Sequence, residues 1–320
     1  MSKSFILELP LQVTPESQRE LLIRLDAARY LYNACLSEAL ERLQRVRESK
    51  LWQKALKQSK STQRNALFKQ ALAYPKYSEY ALHTFAVQTK NACWIVEHLD
   101  VHVCQKIATR VFDAVEQYRW GHRGKPRFKG KGWLSSVEGK SNETGIRWRE
   151  GQVHWKGLVL PALLDSKDKY GVQAHGLSCQ TKYVRLLKRQ VKGETCWYAQ
   201  LVQEGIPLIK EKNLSPAHDV GLDVGPSSIA VVGKEDAFLT ALCVELEPLY
   251  EEIGKLQKQI DRSRRAMNPA NYTREGTIRK GIPLRWECSE RYRRLKSKLQ
   301  EYHRVMSTTR KRLHGELSNE

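Results

Sequence analysis

The sequence lacks long apolar segments, although 41% of its 320 residues are hydrophobic. No apolar run reaches the roughly 18 residues that a membrane-spanning helix needs. The first residues, MSKSFILELPLQV, also lack the apolar core and the small-residue cleavage site of a secretory signal. We therefore expect a cytoplasmic protein with packed cores and no membrane partner, and we exclude a largely disordered chain.

Acidic residues are in deficit. The chain has 35 Asp and Glu against 55 Lys and Arg, so its formal net charge is +20 at pH 7. An excess of this size in a folded protein most often matches a polyanionic partner, and nucleic acid is the commonest one. A basic surface that only keeps the protein soluble is the alternative. The charge favours a nucleic-acid partner and gives no sign of a small-molecule substrate.

Paired cysteines are also missing. The seven cysteines are odd in number and scattered, with no C-x-x-C pair among them: Cys35, Cys93, Cys104, Cys179, Cys196, Cys243 and Cys288. This pattern predicts a reducing compartment and buried, apolar thiols. No zinc site is expected within these residues.

Two different periodicities divide the first two thirds of the chain. Alternation over residues 4–13 predicts a strand, and apolar residues at three- and four-residue steps predict a helical bundle over 14–118. Strand signals follow, including a hairpin between about residues 184 and 202. We expect residues 1–13 and 119–207 to form one β-barrel-like domain that the helical bundle interrupts.

A third region, residues 216–320, follows a polar linker. It begins with strand signals around Asp223 and continues with two strongly charged helices, predicted at 246–266 and 284–318. Both helices carry an apolar stripe, which predicts an antiparallel helical hairpin. A solvated helix pair without a function of its own is the alternative.

The strand Gly221-Leu222-Asp223-Val224-Gly225 is the sharpest candidate for chemistry. In an extended strand Asp223 shares one face with two glycines, which leaves room for a metal ion and a phosphate. Three interpretations stay open: an Asp that caps the adjacent Gly225-Pro226-Ser227 bend, the first phosphate loop of actin-like and sugar-kinase ATPases, and the first carboxylate of an RNase H-like nuclease. The ATPase interpretation lacks a second glycine-rich loop after residue 245.

Residues 119–131, which we call the basic strip, hold six Lys and Arg, no acid, and glycine and proline spacers. Such a strip lets the backbone approach phosphates closely, and Phe128 with the nearby Trp120 and Trp133 could stack on unpaired bases. An ordinary solvated loop is the alternative. The residues expected to bind nucleic acid are Arg123, Lys125, Arg127, Phe128, Lys129 and Lys131.

A second basic set lies on the two late helices. It comprises Arg264, Arg265, Arg294 and Lys298. Rows of lysine and arginine are common on the wet side of a helix pair, so phosphate contact and simple solvation both stay open for this set.

The order of these segments resembles the OrfB/TnpB family of insertion-sequence proteins, RNA-guided nucleases related to type V CRISPR effectors. The resemblance covers essentially the whole chain. The matching stretches are Arg29-Tyr30-Leu31-Tyr32-Asn33, Gly124-Lys125-Pro126-Arg127-Phe128-Lys129-Gly130-Lys131, Gly221-Leu222-Asp223-Val224-Gly225 and Arg310-Lys311-Arg312-Leu313-His314-Gly315-Glu316-Leu317-Ser318.

The resemblance implies an α+β multidomain fold. A wedge-like β-barrel domain, interrupted by a helical recognition domain, precedes an RNase H-like (RuvC) α/β domain that begins at about residue 216. The implied partners are a guide RNA and target double-stranded DNA, near the bacterial nucleoid. The implied cofactor is Mg²⁺, and Asp223 is assigned to its first carboxylate ligand.

The family pattern also expects a later Glu, a zinc finger and a final Asp, which this sequence does not contain. Asp219, Glu235 and Glu245 are too near Asp223 in the chain to replace the missing acids. We therefore expect a chain cut short within its nuclease domain, unable to cleave DNA alone because one carboxylate cannot hold two Mg²⁺ ions. A catalytically dead RNA-guided DNA-binding protein and a general RNA-binding protein remain alternatives.

Overall fold

A computed structural model describes residues 3–191, 193–209, 220–225, 228–234, 236–241 and 243–317. The chain forms two compact units, Met1–Glu211 and Lys212–Glu320, which are described separately below. Both units combine helices and sheets. No described helix is long and apolar enough to cross a membrane.

The first unit contains seven helices and seven strands among its described residues. The helices are α1 Pro15–Glu48, α2 Lys50–Leu56, α3 Thr62–Ala73, α4 Glu79–Asn91, α5 Ile95–His98, α6 Val101–Arg119 and α7 Val172–Ser178. The strands are β1 Ser4–Pro10, β2 Ser136–Glu138, β3 Arg147–Arg149, β4 Gln152–Trp155, β5 Leu158–Pro161, β6 Thr181–Val191 and β7 Glu194–Glu204. The short helix α7 interrupts a region that the sequence predicts as strands only.

Helix α1 begins and packs as its sequence predicts. The Thr14 hydroxyl accepts a hydrogen bond of 3.2 Å from the Ser17 amide, and Pro15 occupies the first turn, where its missing N–H costs nothing. Every member of the predicted apolar face is buried: Leu21, Leu25, Ala28, Tyr32, Cys35, Ala39, Leu43 and Val46. This face packs against α4 and α6 and forms the centre of the core.

The strands form two sheets, with the orders β1-β7-β6-β2 and β3-β4-β5. The expected pairing of the first strand with the later hairpin is confirmed, because β1 runs antiparallel to β7 from Ser4–Glu204 to Pro10–Tyr198. The expected closed barrel is wrong for the described residues. A barrel needs continuous pairing around its circumference, whereas the two sheets are joined by the single Leu11–Ala162 bridge.

A buried arginine fastens α1 to the smaller sheet. The Arg24 guanidinium is 4% exposed and donates to the carbonyl oxygens of Trp155, at 2.6 Å, and Lys156, at 2.9 Å. Its third partner is the Glu20 carboxylate at 2.9 Å. Since these bonds satisfy a charge that burial would otherwise penalise, they fix the position of α1 on the β4–β5 turn.

The cysteines follow the sequence prediction in part. Burial raises the pKa of the Cys35 and Cys104 thiols to about 12, so both stay protonated and behave as small apolar groups. Cys288 is exposed, contrary to the expectation of buried thiols, because it lies in the irregular segment before the last helix.

The second unit combines a small sheet with a helical hairpin. Strands β8 Gly221–Val224, β9 Ser228–Val232 and β10 Ala237–Ala241 pair antiparallel in the order β10-β9-β8. Helices α8 Glu247–Met267 and α9 Glu290–Leu317 pack on each other, close to the predicted helices. Ile253 and Leu256 of the predicted stripe are buried.

The connection between α8 and α9 is held by one side chain. Asn268 is 6% exposed, and its amide accepts from the Glu287 N–H at 2.7 Å and donates to the Glu287 carbonyl at 2.9 Å. It also donates to the Arg264 carbonyl at 2.9 Å. Because a side-chain amide can both donate and accept, it pairs with a peptide as a neighbouring strand would.

Candidate nucleic-acid interface

The basic strip leaves helix α6 through a glycine turn. Gly121 has a φ of 75°, the left-handed conformation that ends many helices. The amides of His122 and Arg123 donate to the Gln117 carbonyl at 2.9 and 3.2 Å, which satisfies the end of α6. The strip therefore starts from a fixed point on the helical core.

Asn33 of α1 holds the middle of the strip. Its side-chain oxygen accepts from the Lys129 N–H at 2.8 Å, and its side-chain nitrogen donates to the Lys129 carbonyl at 3.0 Å. Arg29, one turn earlier, is ion-paired with Asp26 at 2.7 Å. Two of the stretches that carry the family resemblance thus meet in space, 96 residues apart in the chain.

The cations of the strip have no carboxylate partners among the described residues. These cations are Arg123, Lys125, Arg127, Lys129 and Lys131. Only Lys129 makes a described side-chain contact, with its Nζ 5.7 Å from the centre of the Tyr32 ring. By contrast, Arg119 at the end of α6 is ion-paired with Glu116 at 2.5 Å. Unpaired, exposed cations can exchange their counterions for phosphates without breaking an existing ion pair.

Two members of the strip, Arg123 and Lys129, line a cleft of about 850 Å³. Arg110 of α6 and Arg185 of β6 face the same cleft. Its acid Glu138 is already bound by Lys106 and Arg185, each at 3.0 Å. The cleft therefore keeps an excess of positive charge beyond the strip itself, which the sequence did not reveal, since α6 and β6 are far apart in the chain.

A second cavity, of about 520 Å³, is lined by Lys125 and Phe128 of the strip. Tyr118 of α6 and Arg47 of α1 form part of its wall. The strip thus contributes cations to two neighbouring concave surfaces.

The three predicted stacking aromatics are exposed, as stacking on bases requires. Phe128 is 58% exposed, Trp120 63% and Trp133 78%. They differ in their surroundings. The Arg119 guanidinium carbon lies 4.3 Å from the Trp120 ring centre and covers one face of that ring. Of the three, Phe128 lies in the wall of a described cavity.

The basic set of the helical hairpin has a different environment. Arg264 and Arg265 both bind the Asp261 carboxylate, at 3.0 and 2.6 Å, and Arg294 binds Glu290 at 3.2 Å. Lys298 lies with its Nζ 5.7 Å from the Tyr302 ring centre. Three of the four predicted phosphate ligands are therefore already paired within their own helices.

Asp223 lies on the edge strand β8, opposite Ala230 of β9, and is exposed. Among the described residues no three or more His, Cys, Asp or Glu side chains gather as metal ligands, even though His98 and His102 stand four positions apart. Asp219 and Glu235 lie outside the described residues. The described donor set therefore does not fit a site for two Mg²⁺ ions, which needs several carboxylates.

Comparison with known proteins gives distant matches only. No family model matches the chain, and no curated protein matches it. A cryo-EM structure of a Cas12f1–sgRNA–target DNA complex is 11% identical over 95% of this chain and 76% of that one, with a TM-score of 0.37. A CRISPR–Cas12f ternary complex is 14% identical over 82% of this chain and 54% of that one, with a TM-score of 0.31. The chain thus spans about half the length of the second match, and similarity at this level assigns no activity to it.

Proposed function

We propose that this chain is an RNA-guided DNA-binding protein of the OrfB/TnpB type, related to the type V CRISPR effectors, that binds a guide RNA and target double-stranded DNA. The first unit supplies the main binding surface, through the basic strip and the cleft that Arg123 and Lys129 line. The helical hairpin and Asp223 belong to the second unit.

One observation carries the proposal: the five cations of the strip have no described carboxylate partners, and the backbone of the strip is held by Asn33. A free cation that binds phosphate releases counterions from the nucleic acid, which drives association. A backbone that is already ordered loses little entropy on binding. The order of the matching sequence stretches supports the RNA-guided type in particular.

The proposal is limited to binding. The resemblance implies Mg²⁺ at Asp223, but the described donor set does not fit a two-metal centre. We therefore assign no cleavage step to these residues.

The experiment is a salt titration of the wild-type chain with fluorescently labelled structured RNA and with labelled duplex DNA. We expect tight binding whose logarithm falls with the logarithm of salt concentration with a slope of roughly −3.5 or steeper, because five or more phosphates are neutralised at about 0.7 to 0.9 each. Incubation with duplex and Mg²⁺ should leave the DNA uncut. Absence of binding, or a slope near zero, contradicts the proposal.

A further inference from the structure

The cavity lined by Phe128 and Lys125 has the size and composition of a site for a small planar group. Its volume of about 520 Å³ falls within the roughly 300 to 1,000 Å³ of ligand sites. Aromatic, aliphatic, polar and cationic side chains from α1, from α6 and from the strip share its wall. Those used below are Ser37, Arg47, Tyr118, Lys125 and Phe128.

The two aromatic rings of the cavity are in different states. Tyr118 is already engaged by Arg47, whose guanidinium carbon lies 5.0 Å from the ring centre and whose Nη1 donates to the phenol oxygen at 3.4 Å. Phe128 is 58% exposed, and no ring or cation of the described residues stacks on it. The cavity therefore presents one large apolar ring whose face is open to a ligand.

Charge and hydrogen-bonding capacity complete the site. Lys125 and Arg47 have no carboxylate partner among the described residues, whereas the nearby Glu41 is ion-paired with Arg45. The exposed Ser37 hydroxyl offers both a donor and an acceptor in the cavity wall. An aromatic face beside unpaired cations matches a base and its phosphate, since every base has a π-face and every nucleotide carries an anion.

On the premise of the proposed function, we propose that this cavity takes one unpaired nucleotide of a bound strand. Its base stacks on Phe128, and its phosphate lies on Lys125. A base inside a duplex is already paired and stacked on both sides, so it cannot enter without being unstacked, which costs free energy. The site therefore distinguishes single strands from duplexes, while the rest of the strip neutralises phosphates of either.

The test replaces the ring and keeps the charge. Phe128→Leu should weaken binding of a short single-stranded oligonucleotide about 5- to 100-fold, the range measured when one base–aromatic stack is lost. Its salt slope should match that of the wild type, because no cation is removed. Binding of a blunt duplex of the same sequence should not change. Phe128→Tyr, which restores a ring, should bind single strands like the wild type.

Tyr74→Leu is the matched control, since Tyr74 is 90% exposed and far outside the strip in sequence, and it should bind as the wild type does. Running the assay with RNA and with DNA strands identifies the source: loss with RNA alone indicates a guide nucleotide, and loss with DNA alone indicates an unpaired target nucleotide. The proposal is overturned if Phe128→Leu binds single strands normally, weakens duplex binding equally, or is not rescued by Tyr.

These outcomes are separable from a failure of the proposed function. A wild-type chain that binds no nucleic acid at any salt concentration refutes the proposed function itself. A wild-type chain that binds with the expected salt slope, together with an unaffected Phe128→Leu variant, refutes only the nucleotide site.

Discussion

The basic strip and the helical hairpin both look cationic in the sequence, yet the structure treats their charges differently. In the strip, Lys125, Arg127 and their neighbours have no described carboxylate partners. In the hairpin, Arg264, Arg265 and Arg294 each face an acid three or four residues away on the same helix. A paired cation has already given up part of its field, so its phosphate contact releases fewer counterions.

The comparison teaches that the number of basic residues is a poor guide to a nucleic-acid surface. Helical spacing produces ion pairs almost automatically, because residues three and four apart are neighbours on a helix. An irregular segment with glycine and proline spacers has no such neighbours, and it keeps its charge available. The predictions below are ordered by the size of the effect expected from this difference.

The largest effect is expected from neutralising the strip. A variant with Arg123, Lys125, Arg127, Lys129 and Lys131 all changed to Gln should lose affinity for RNA on the order of a thousandfold near 0.15 M salt, and its salt slope should flatten by about 3.5 to 4.5. Fluorescence anisotropy over a salt series measures both quantities.

The control for that variant removes the same charge from another exposed surface of the first unit. It changes Lys50, Lys54, Lys57, Lys60 and Lys69 to Gln. Equal losses in the two variants would mean that net charge alone, and not the strip, determines binding.

The next effect concerns order and not charge. Asn33→Ala removes both hydrogen bonds to the Lys129 backbone, so the strip must be ordered on binding, at a cost of about 1 to 2 kcal/mol for one residue. We expect affinity for RNA to fall about 5- to 30-fold with an unchanged salt slope. Filter binding at two salt concentrations is sufficient to measure it.

Asn268→Ala is its matched control, because Asn268 makes the same two-way contact with Glu287 in the hairpin. This variant should lower the urea midpoint of unfolding and leave RNA affinity as it was. If both Asn variants weaken binding equally, the comparison between the two regions fails.

A smaller effect is expected from the hairpin. Changing Arg264, Arg265, Arg294 and Lys298 to Gln should flatten the salt slope by only about 0.7 to 0.9, the contribution of one free cation, and weaken binding about fourfold near 0.15 M salt. The measurement is the same anisotropy series with duplex DNA. A slope change as large as that of the strip variant would show that the intrahelical ion pairs open readily for phosphate.

The smallest effect is expected at Asp223. Because this carboxylate is exposed and has no described co-ligands, Asp223→Asn should leave RNA and DNA affinity unchanged, and neither protein should cut duplex DNA with Mg²⁺. Denaturing gels of labelled duplex provide the readout. Metal-dependent cutting by the wild type that the variant loses would restore a catalytic role to Asp223.

Periodic features of the fold could be predicted, while contacts between distant segments could not. The buried face of α1, the pairing of β1 with the later hairpin and the helical pair all follow from apolar spacing and turn residues. The sheets do not close, and α7 was not foreseen, since both depend on how short irregular segments settle on the core. Cys288 was expected to be buried because its local sequence gives no sign of its position before α9.

The candidate site shows the same division. The strip was found from composition alone, since density of cations and spacers is a local property. The bond between Asn33 and Lys129, and the union of Phe128 with Tyr118 and Arg47 in one cavity, depend on tertiary packing. No local pattern links a helical Asn to a peptide 96 residues later. The role of Asp223 stays a prediction from sequence.

Photo-crosslinking tests the central claim most directly. The wild-type chain would be bound to RNA that contains 4-thiouridine, irradiated, digested, and the crosslinked peptides identified by mass spectrometry. We expect the strongest crosslinks at residues 119–133, with Phe128 and its neighbours among them. Crosslinks confined to helices α8 and α9, with none in the strip, would contradict the account.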